Sequence, residues 1–177
     1  PVQAIRSDGR TLCASGLDGN TRQGYLDLQQ PVTLVLESDR GRITAGRTRW
    51  LFLAEQLESD QPIQAELKNS KVQGRGFKLD QRTGTVIISN SCRVEQTLET
   101  LTAQRCAWNW RSERVVADGD VVLQRTEPEQ ITRASRMEAK ISDDGAIRFG
   151  QAGARVESMI KLSPAAQEQP RRPQVSF

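Results

Sequence analysis

The side chains used most often in catalysis are missing from this sequence or lie at unsuitable spacings. There is no histidine, which excludes a Ser-His-Asp arrangement, a histidine general base and a histidine-ligated zinc. The carboxylate pairs Asp118/Asp120 and Asp143/Asp144 lie in predicted turns, where aspartate is favoured for its local hydrogen bonds. We therefore predict that the protein is not an enzyme and needs no metal and no cofactor.

A short glycine motif, Gly74-Arg75-Gly76, could suggest a phosphate-binding loop. It is too short to surround a phosphate, and no Lys-Ser/Thr pair follows it. It also lies between two predicted strands rather than before a helix. We therefore predict that these glycines permit a β-bulge or a close approach of two strands.

The three cysteines, Cys13, Cys92 and Cys106, show no metal-ligand spacing. Cys92 and Cys106 flank one connection, so they either form a disulfide or remain as two buried thiols. We favour the disulfide, which would leave Cys13 unpaired. By loop entropy it would stabilise the fold by about 3 kcal/mol and would imply an oxidising compartment.

The formal net charge is +3, and the basic residues are spread along the chain rather than clustered. The nearest approach to a basic run is Arg171-Arg172, in a segment rich in proline and glutamine. This distribution argues against a nucleic-acid partner. No apolar run is long enough to predict a membrane span.

The clearest pattern is an apolar/polar alternation with a period of two between residues 57 and 89. Ile63, Ala65 and Leu67 alternate with polar residues, as do Phe77 and Leu79, and the pattern is repeated after a turn at 80–84. Successive side chains of a strand point to opposite faces, so this stretch predicts three half-buried strands. Similar alternation along the chain predicts an all-β fold.

Some segments lead to more specific predictions. The apolar run from Trp50 to Ala54 predicts a strand buried on both faces, and Asp118-Gly119 predicts a two-residue hairpin turn. Residues 93–105 have apolar residues at helical spacing, which leaves a short helix near 95–105 and an irregular strand as alternatives. We expect one domain over 1–163 and a flexible tail over 164–177, which is rich in Pro, Gln, Ala and Arg.

The apolar faces of these strands allow two kinds of interior. In the first, two sheets pack about 10 Å apart with interlocked aliphatic side chains, as in an ordinary β-sandwich. In the second, the sheets diverge and leave a groove for acyl chains. Periodicity alone favours the filled core.

Several motifs, taken in order, resemble a known family. The segments Gln56-Leu57-Glu58-Ser59-Asp60-Gln61-Pro62-Ile63, Val72 to Asp80, and Thr85 to Ile88 are similar to LptC, a periplasmic component of lipopolysaccharide export. Val115 to Leu123 and Ile131 to Phe149 resemble strand pairs of the wider OstA/LptA-like group. The resemblance covers roughly residues 25–162. The segment between Cys92 and Cys106 is longer than the family pattern leads us to expect.

This resemblance implies a twisted, open β-jellyroll, with two antiparallel sheets in a V. Lipid A acyl chains of lipopolysaccharide would lie inside, and the lipid would pass to a partner jellyroll by edge-to-edge strand pairing. The implied partners are lipopolysaccharide, an LptA-like periplasmic bridge protein and the inner-membrane ABC transporter of the same pathway; an edge-to-edge homo-oligomer is also allowed. The implied location is the periplasm, with an inner-membrane anchor upstream of Pro1. The rival function is a protein-interaction or assembly module with a filled core, and a third alternative is a small hydrolytic or carbohydrate-binding sandwich.

The candidate lipid-binding residues are the inward-facing apolar side chains of the predicted strands. For each of them the alternative is ordinary packing between sheets. They are Leu34, Leu36, Ile43, Ile63, Leu67, Phe77, Leu79, Val86, Ile88, Val121, Leu123, Met137, Ile141, Ile147 and Phe149.

Overall fold

The computed structural model describes residues 2–5, 9–37, 40–151 and 156–161, and the regular elements in this part of the chain are all β-strands. Every strand pairing is antiparallel, so the predicted all-β antiparallel jellyroll is confirmed. The predicted tail, 164–177, lies outside the described residues. The strands are β1 (Val2–Ile5), β2 (Thr11–Ala14), β3 (Gly16–Asn20), β4 (Tyr25–Gln29), β5 (Val32–Val35), β6 (Arg42–Ala45), β7 (Thr48–Leu51), β8 (Gln56–Glu66), β9 (Lys71–Asp80), β10 (Thr85–Gln96), β11 (Glu99–Ala103), β12 (Arg105–Asn109), β13 (Arg114–Thr126), β14 (Glu129–Ile141), β15 (Ile147–Gln151) and β16 (Val156–Lys161).

The long strands are bent near their middles by irregular pairing. The register shifts between Ser59 and Pro62 in β8, between Asn90 and Arg93 in β10, and between Asp118 and Val121 in β13. A bulge leaves a residue unpaired, bends the strand and increases its twist. Each of these strands therefore has two halves that lie in different layers.

The pairing partners change at these bends, which defines the two layers. The half of β8 before its bend pairs with β7, and the half after it pairs with β6. In both β10 and β13 the half before the bend pairs with β12, and the half after it pairs with β11. Layer one thus contains β3, β4, β7, β12 and β15, and layer two contains β1, β2, β5, β6, β11 and β16, with the long strands crossing between them.

The alternation seen in the sequence places the apolar side chains between the layers. In β9, Val72, Phe77 and Leu79 are buried, whereas Arg75 and Lys78 are exposed. The buried apolar residues of both layers form one continuous cluster. This burial is the main source of stability, at about 25 cal/mol for each Å² of apolar surface removed from water.

The structure decides the open question at residues 93–105 in favour of strands. Val94 and Leu101 lie directly opposite each other across the β10–β11 hairpin, and both are 1% exposed. Leu98 lies in the turn and is 53% exposed. The alternative of a short helix near 95–105 is therefore wrong. The pattern looked helical because a hairpin can bring two residues seven positions apart to the same face, as two turns of a helix also do.

Two further predictions were wrong in detail. The run from Trp50 to Ala54 is not one buried strand, because β7 ends at Leu51 and the chain then turns towards β8; Leu53 is 70% exposed. Asp118-Gly119 is not a hairpin turn but part of the bulge in β13. Gly119 has a φ of 82° and Asp120 a φ of 45°. The left-handed backbone that Gly119 favours is used there to bend a strand instead of reversing it.

The prediction for the Gly74-Arg75-Gly76 motif is confirmed. A Cβ on Gly74 would lie 2.3 Å from Cγ2 of Ile88, so only glycine permits this approach of β9 to β10. Gly76 has a φ of 75°, which favours glycine. Both glycines therefore serve the bend of the sheet.

Candidate functional site

The predicted inward residues all face the space between the two layers. Phe77, Leu79, Val86, Ile88, Met137, Ile141, Ile147 and Phe149 lie on the layer-one side, and Leu34, Leu36, Ile43, Ile63, Val121 and Leu123 lie on the layer-two side, each 9% exposed or less. Leu67 is half-buried just beyond the end of β8. Their common orientation agrees with the alternation, whereas their contact with lipid stays a prediction.

In this structure the layers are packed against each other. The internal cavity between them has a volume of about 10 Å³ and is lined only by apolar surface, including Val86, Val94 and Val115. A cavity of this size is at the lower limit for one water molecule. An acyl chain could therefore enter only if the layers moved apart.

A larger depression lies on the side of the molecule opposite the bends, and we call it the mouth. Its volume is about 350 Å³, and Trp110, Ile141 and Lys68 are among its lining residues. Leu67 and Trp108 line both the mouth and the internal cavity. These two side chains therefore separate the interior from the mouth.

Gly41 permits this closure. A Cβ at this position would lie 3.1 Å from Cδ2 of Leu67 and 3.1 Å from Cη2 of Trp108. Trp108 in β12 and Trp110, just beyond the end of that strand, have ring centroids 6.2 Å apart in an edge-to-face arrangement. The inner wall of the mouth is therefore apolar, whereas its rim carries polar and charged side chains, including Arg40, Lys68 and Glu113.

On one side of the mouth, polar contacts join layer two to layer one, and we call them the first latch. Oε1 of Glu37, after β5, accepts hydrogen bonds from Nε1 of Trp110 at 3.1 Å and from Nε of Arg111 at 2.8 Å. Nη1 of Arg40 donates to the carbonyl oxygen of Trp110 at 2.8 Å and lies 3.8 Å from the Glu113 carboxylate. The β5–β6 turn is thereby fixed to the β12–β13 turn.

On the other side of the mouth lies the second latch. Nε2 of Gln96 donates to the carbonyl oxygen of Ile147, and Oε1 of Gln96 accepts from the amide of Ile147, both at 2.7 Å. Oγ of Ser70 donates to the carbonyl oxygen of Gly145 at 2.7 Å, and Asn69 donates to that of Asp144. These bonds fix the ends of β8, β9 and β10 to the β14–β15 turn.

The electrostatics of the first latch favour an ionised glutamate. The hydrogen bond from Arg111 holds the pKa of Glu37 below its usual value; partial burial opposes this, and the hydrogen bond from Trp110 lowers it further. The side chain of Glu37 is 20% exposed. The latch is therefore fully formed only while this carboxylate carries its charge.

The bend side of the molecule is closed covalently. Cys92 and Cys106 form a disulfide with their Cα atoms 5.9 Å apart. Cys106 belongs to layer one and Cys92 lies at the bend of β10, where the chain passes into layer two. Cys13 is a free thiol of intermediate exposure.

A further depression, about 1050 Å³ in volume, is a polar hollow on the outside of the molecule. Asp27 in this hollow is bonded to Arg49 at 2.8 Å and to Arg47 at 3.3 Å. The bond to Arg49 is the main reason why the pKa of Asp27 is lowered; burial opposes it. Because the hollow is polar and Asp27 is already paired with both arginines, we do not regard it as the principal site.

Sequence reasoning missed the residues that close the mouth. The spacing of Trp108-Asn109-Trp110 indicated a strand with both rings on one side, and this could have marked the wall. Nothing in the sequence indicated the latches, because Glu37 and Gln96 meet partners 74 and 51 residues away, respectively. Such contacts depend on how the layers fold over each other.

The described residues contain neither a metal-binding cluster nor a helix that could span a membrane. In this part of the chain no cluster of three or more His, Cys, Asp or Glu side chains could hold a metal ion. Over the same described ranges, no helix is long and apolar enough to cross a membrane.

Fold and site together define a class: a two-layer antiparallel β-protein with an apolar interior that comes nearest to solvent at one mouth. Among solved structures, this chain is similar to LptH, the LptA-homologous periplasmic component of the conserved lipopolysaccharide transport device from Pseudomonas aeruginosa. The match covers 88% of this chain and 97% of that chain, with 10% sequence identity and a TM-score of 0.44. A likeness of this degree carries no argument about function. No family model and no curated protein matches the chain.

Proposed function

We propose that the protein binds lipopolysaccharide by its lipid A acyl chains, between the two layers, and transfers it to a partner jellyroll of a lipopolysaccharide transport bridge. The observation that carries the proposal is the interior itself: one apolar cluster, contributed by both layers, that meets the mouth at Leu67 and Trp108. The sequence motifs that resemble LptC give additional support. Each buried CH₂ group of an acyl chain would contribute about 0.8 kcal/mol to binding.

We propose that transfer uses the free edges of the layers. Among the described strands, β3 and β15 each pair with one neighbour in layer one, so within this part of the chain each presents an edge without a partner. An unpaired edge offers backbone N–H and C=O groups to a strand of another protein. The proposed partners are an LptA-like bridge protein and the inner-membrane ABC transporter, with an edge-to-edge homo-oligomer as a variation of the same contact.

We also propose a periplasmic location, with an inner-membrane anchor. The Cys92–Cys106 disulfide supports the location, since disulfides persist in oxidising compartments such as the periplasm. The anchor rests on the resemblance to LptC alone.

One observation favours a second function. The interior cavity is only about 10 Å³, which is what a protein-interaction module with a filled core would have. In that case the free edges would bind protein, and the interior would serve stability alone.

Photo-crosslinking separates the two functions. A photoreactive phenylalanine analogue at Leu79, which is fully buried, should form an adduct with lipopolysaccharide if acyl chains enter. The matched control is the same analogue at Lys78, the next residue of β9, which is exposed on the outer face. Adducts at Leu79 alone support the transport function, whereas equal yields at both positions, or none at Leu79 in a folded variant, refute it. Because Leu79 is tightly packed, the half-buried Leu67 provides a second inward position.

A further inference from the structure

We propose that the mouth is the entrance through which an acyl chain reaches the interior, and that the second latch is the part that must open. This inference rests on the proposed function, because it requires an interior that accepts acyl chains. It specifies the route, the residues displaced and the contacts broken.

The covalent structure leaves only one side of the molecule free to open. Strands β8, β9, β10, β13 and β14 run continuously from one layer into the other, so the layers cannot separate at the bends. The Cys92–Cys106 disulfide adds a cross-link on that side. At the turns, in contrast, the described contacts between layers are side-chain hydrogen bonds, ion pairs and apolar packing.

The position of Trp108 indicates what kind of ligand would pass. This side chain is 7% exposed and borders both the cavity and the mouth, yet its Nε1 is buried without a hydrogen-bond acceptor. A buried indole N–H usually has a hydrogen-bond acceptor, because a buried donor without a hydrogen bond destabilises the fold. An acyl chain with an ester, hydroxyl or carboxylate oxygen at its head would supply the acceptor while its tail entered the interior.

The two latches differ in how easily they can be opened. The first contains the charged Glu37 and Arg111, and charge-assisted hydrogen bonds are stronger than neutral ones. The second contains the neutral side chains of Gln96 and Ser70, with Asn69 beside them. The second latch is therefore the weaker one, and the β14–β15 turn is the segment expected to move.

A brominated fatty acid tests the route, since bromine quenches tryptophan fluorescence on contact. The probe is 9,10-dibromostearate below its micelle concentration, mixed with the full chain in a stopped-flow fluorimeter. Gln96→Ala removes two hydrogen bonds between the layers, so we expect its quenching rate to rise about tenfold over the unsubstituted protein. The control, Gln64→Ala, removes a glutamine whose bond goes only to Glu66 in the same strand, and its rate should not change.

Trp108→Phe identifies the quenched residue and keeps the aromatic bulk. The quenching amplitude should fall by about half or more, because Trp50 lies away from the mouth and only Trp110 shares it with Trp108. If Gln96→Ala fails to fold by near-UV circular dichroism, Ser70→Ala weakens the same latch through one bond, and a smaller rate increase is expected.

The outcomes distinguish this inference from the function on which it rests. The proposal that the mouth is the entrance is refuted by equal quenching rates in Gln96→Ala and Gln64→Ala, or by an unchanged amplitude in Trp108→Phe. Either result leaves the proposed function intact. Lipopolysaccharide adducts at Leu79 without any quenching by the probe have the same two consequences. If neither adducts nor quenching are observed, both the entrance at the mouth and the proposed function are refuted.

Discussion

Replacing Glu37 by glutamine should destabilise the protein at neutral pH and leave its stability unchanged in acid. The carboxylate is 20% exposed and accepts hydrogen bonds from Trp110 and Arg111, and the replacement keeps its size while removing its charge. A hydrogen bond to a charged group contributes about 1.5–3 kcal/mol, but the side chain of Arg111 is 39% exposed, so solvent screening reduces its share. We expect a loss of about 1–2 kcal/mol in the free energy of unfolding at pH 7.

The pH dependence follows from the lowered pKa of Glu37, caused mainly by the Arg111 hydrogen bond. A carboxyl group whose pKa is lower in the folded than in the unfolded state stabilises the fold above the unfolded value, about 4.3 for glutamate. This stabilisation is lost as the pH falls through the lower, folded pKa. The difference between wild type and Glu37→Gln should therefore decrease as the pH falls below the unfolded value, and it should disappear below the folded pKa, where the wild-type side chain is itself uncharged.

Urea unfolding of both proteins between pH 7 and pH 3 measures this difference directly, because other titrating groups affect both proteins equally. The control is Asp118→Asn, whose carboxylate lies 3.9 Å from Arg136, with both side chains nearly half exposed. That exposed pair should contribute less than about 0.5 kcal/mol. A Glu37→Gln effect that stays constant across this pH range would refute the charged first latch.

Three further predictions concern the bends and the core. Replacing Cys92 and Cys106 together by serine opens a loop with a sequence separation of 14 residues and should lower the free energy of unfolding in guanidinium chloride by about 3 kcal/mol; a loss under about 1 kcal/mol would contradict the loop-entropy argument. Leu79→Ala in the packed interior should cost about 2–5 kcal/mol, whereas Leu53→Ala, 70% exposed, should stay within about 0.5 kcal/mol; equal costs would show that the layers are not packed. Gly76→Ala should cost about 1 kcal/mol in thermal unfolding, through its φ of 75° rather than through contacts, since a Cβ would meet no atom closer than 3.4 Å; a stabilised variant would contradict this.

Strand positions were predictable from the sequence because burial in a two-layer fold enforces a period of two. Ile63 and Ala65, and likewise Phe77 and Leu79, are buried in their strands, as the alternation indicated. The turn at 80–84 also falls where expected, since β9 ends at Asp80 and β10 begins at Thr85. These are local properties, which a local pattern can report.

The bends were not predictable in the same way. Asp118-Gly119 carries a backbone preference for positive φ, but that preference suits a hairpin turn and a β-bulge equally well. Only the pairing of β13 with two strands on the same side, β11 and β12, distinguishes the two structures. The latches and the mouth depend on that folding-over, so they could not be read from the sequence.

The mid-strand bends constrain how a protein of this shape can change in size. A hairpin such as β9–β10 contributes to both layers at once, because both of its strands cross the bend. Inserting or deleting one such hairpin would lengthen or shorten the apolar interior between the layers by two strand spacings, about 9–10 Å, while its cross-section stayed the same. The length of the interior and its width are therefore set separately, the length by the number of hairpins and the width by the side chains that face inward.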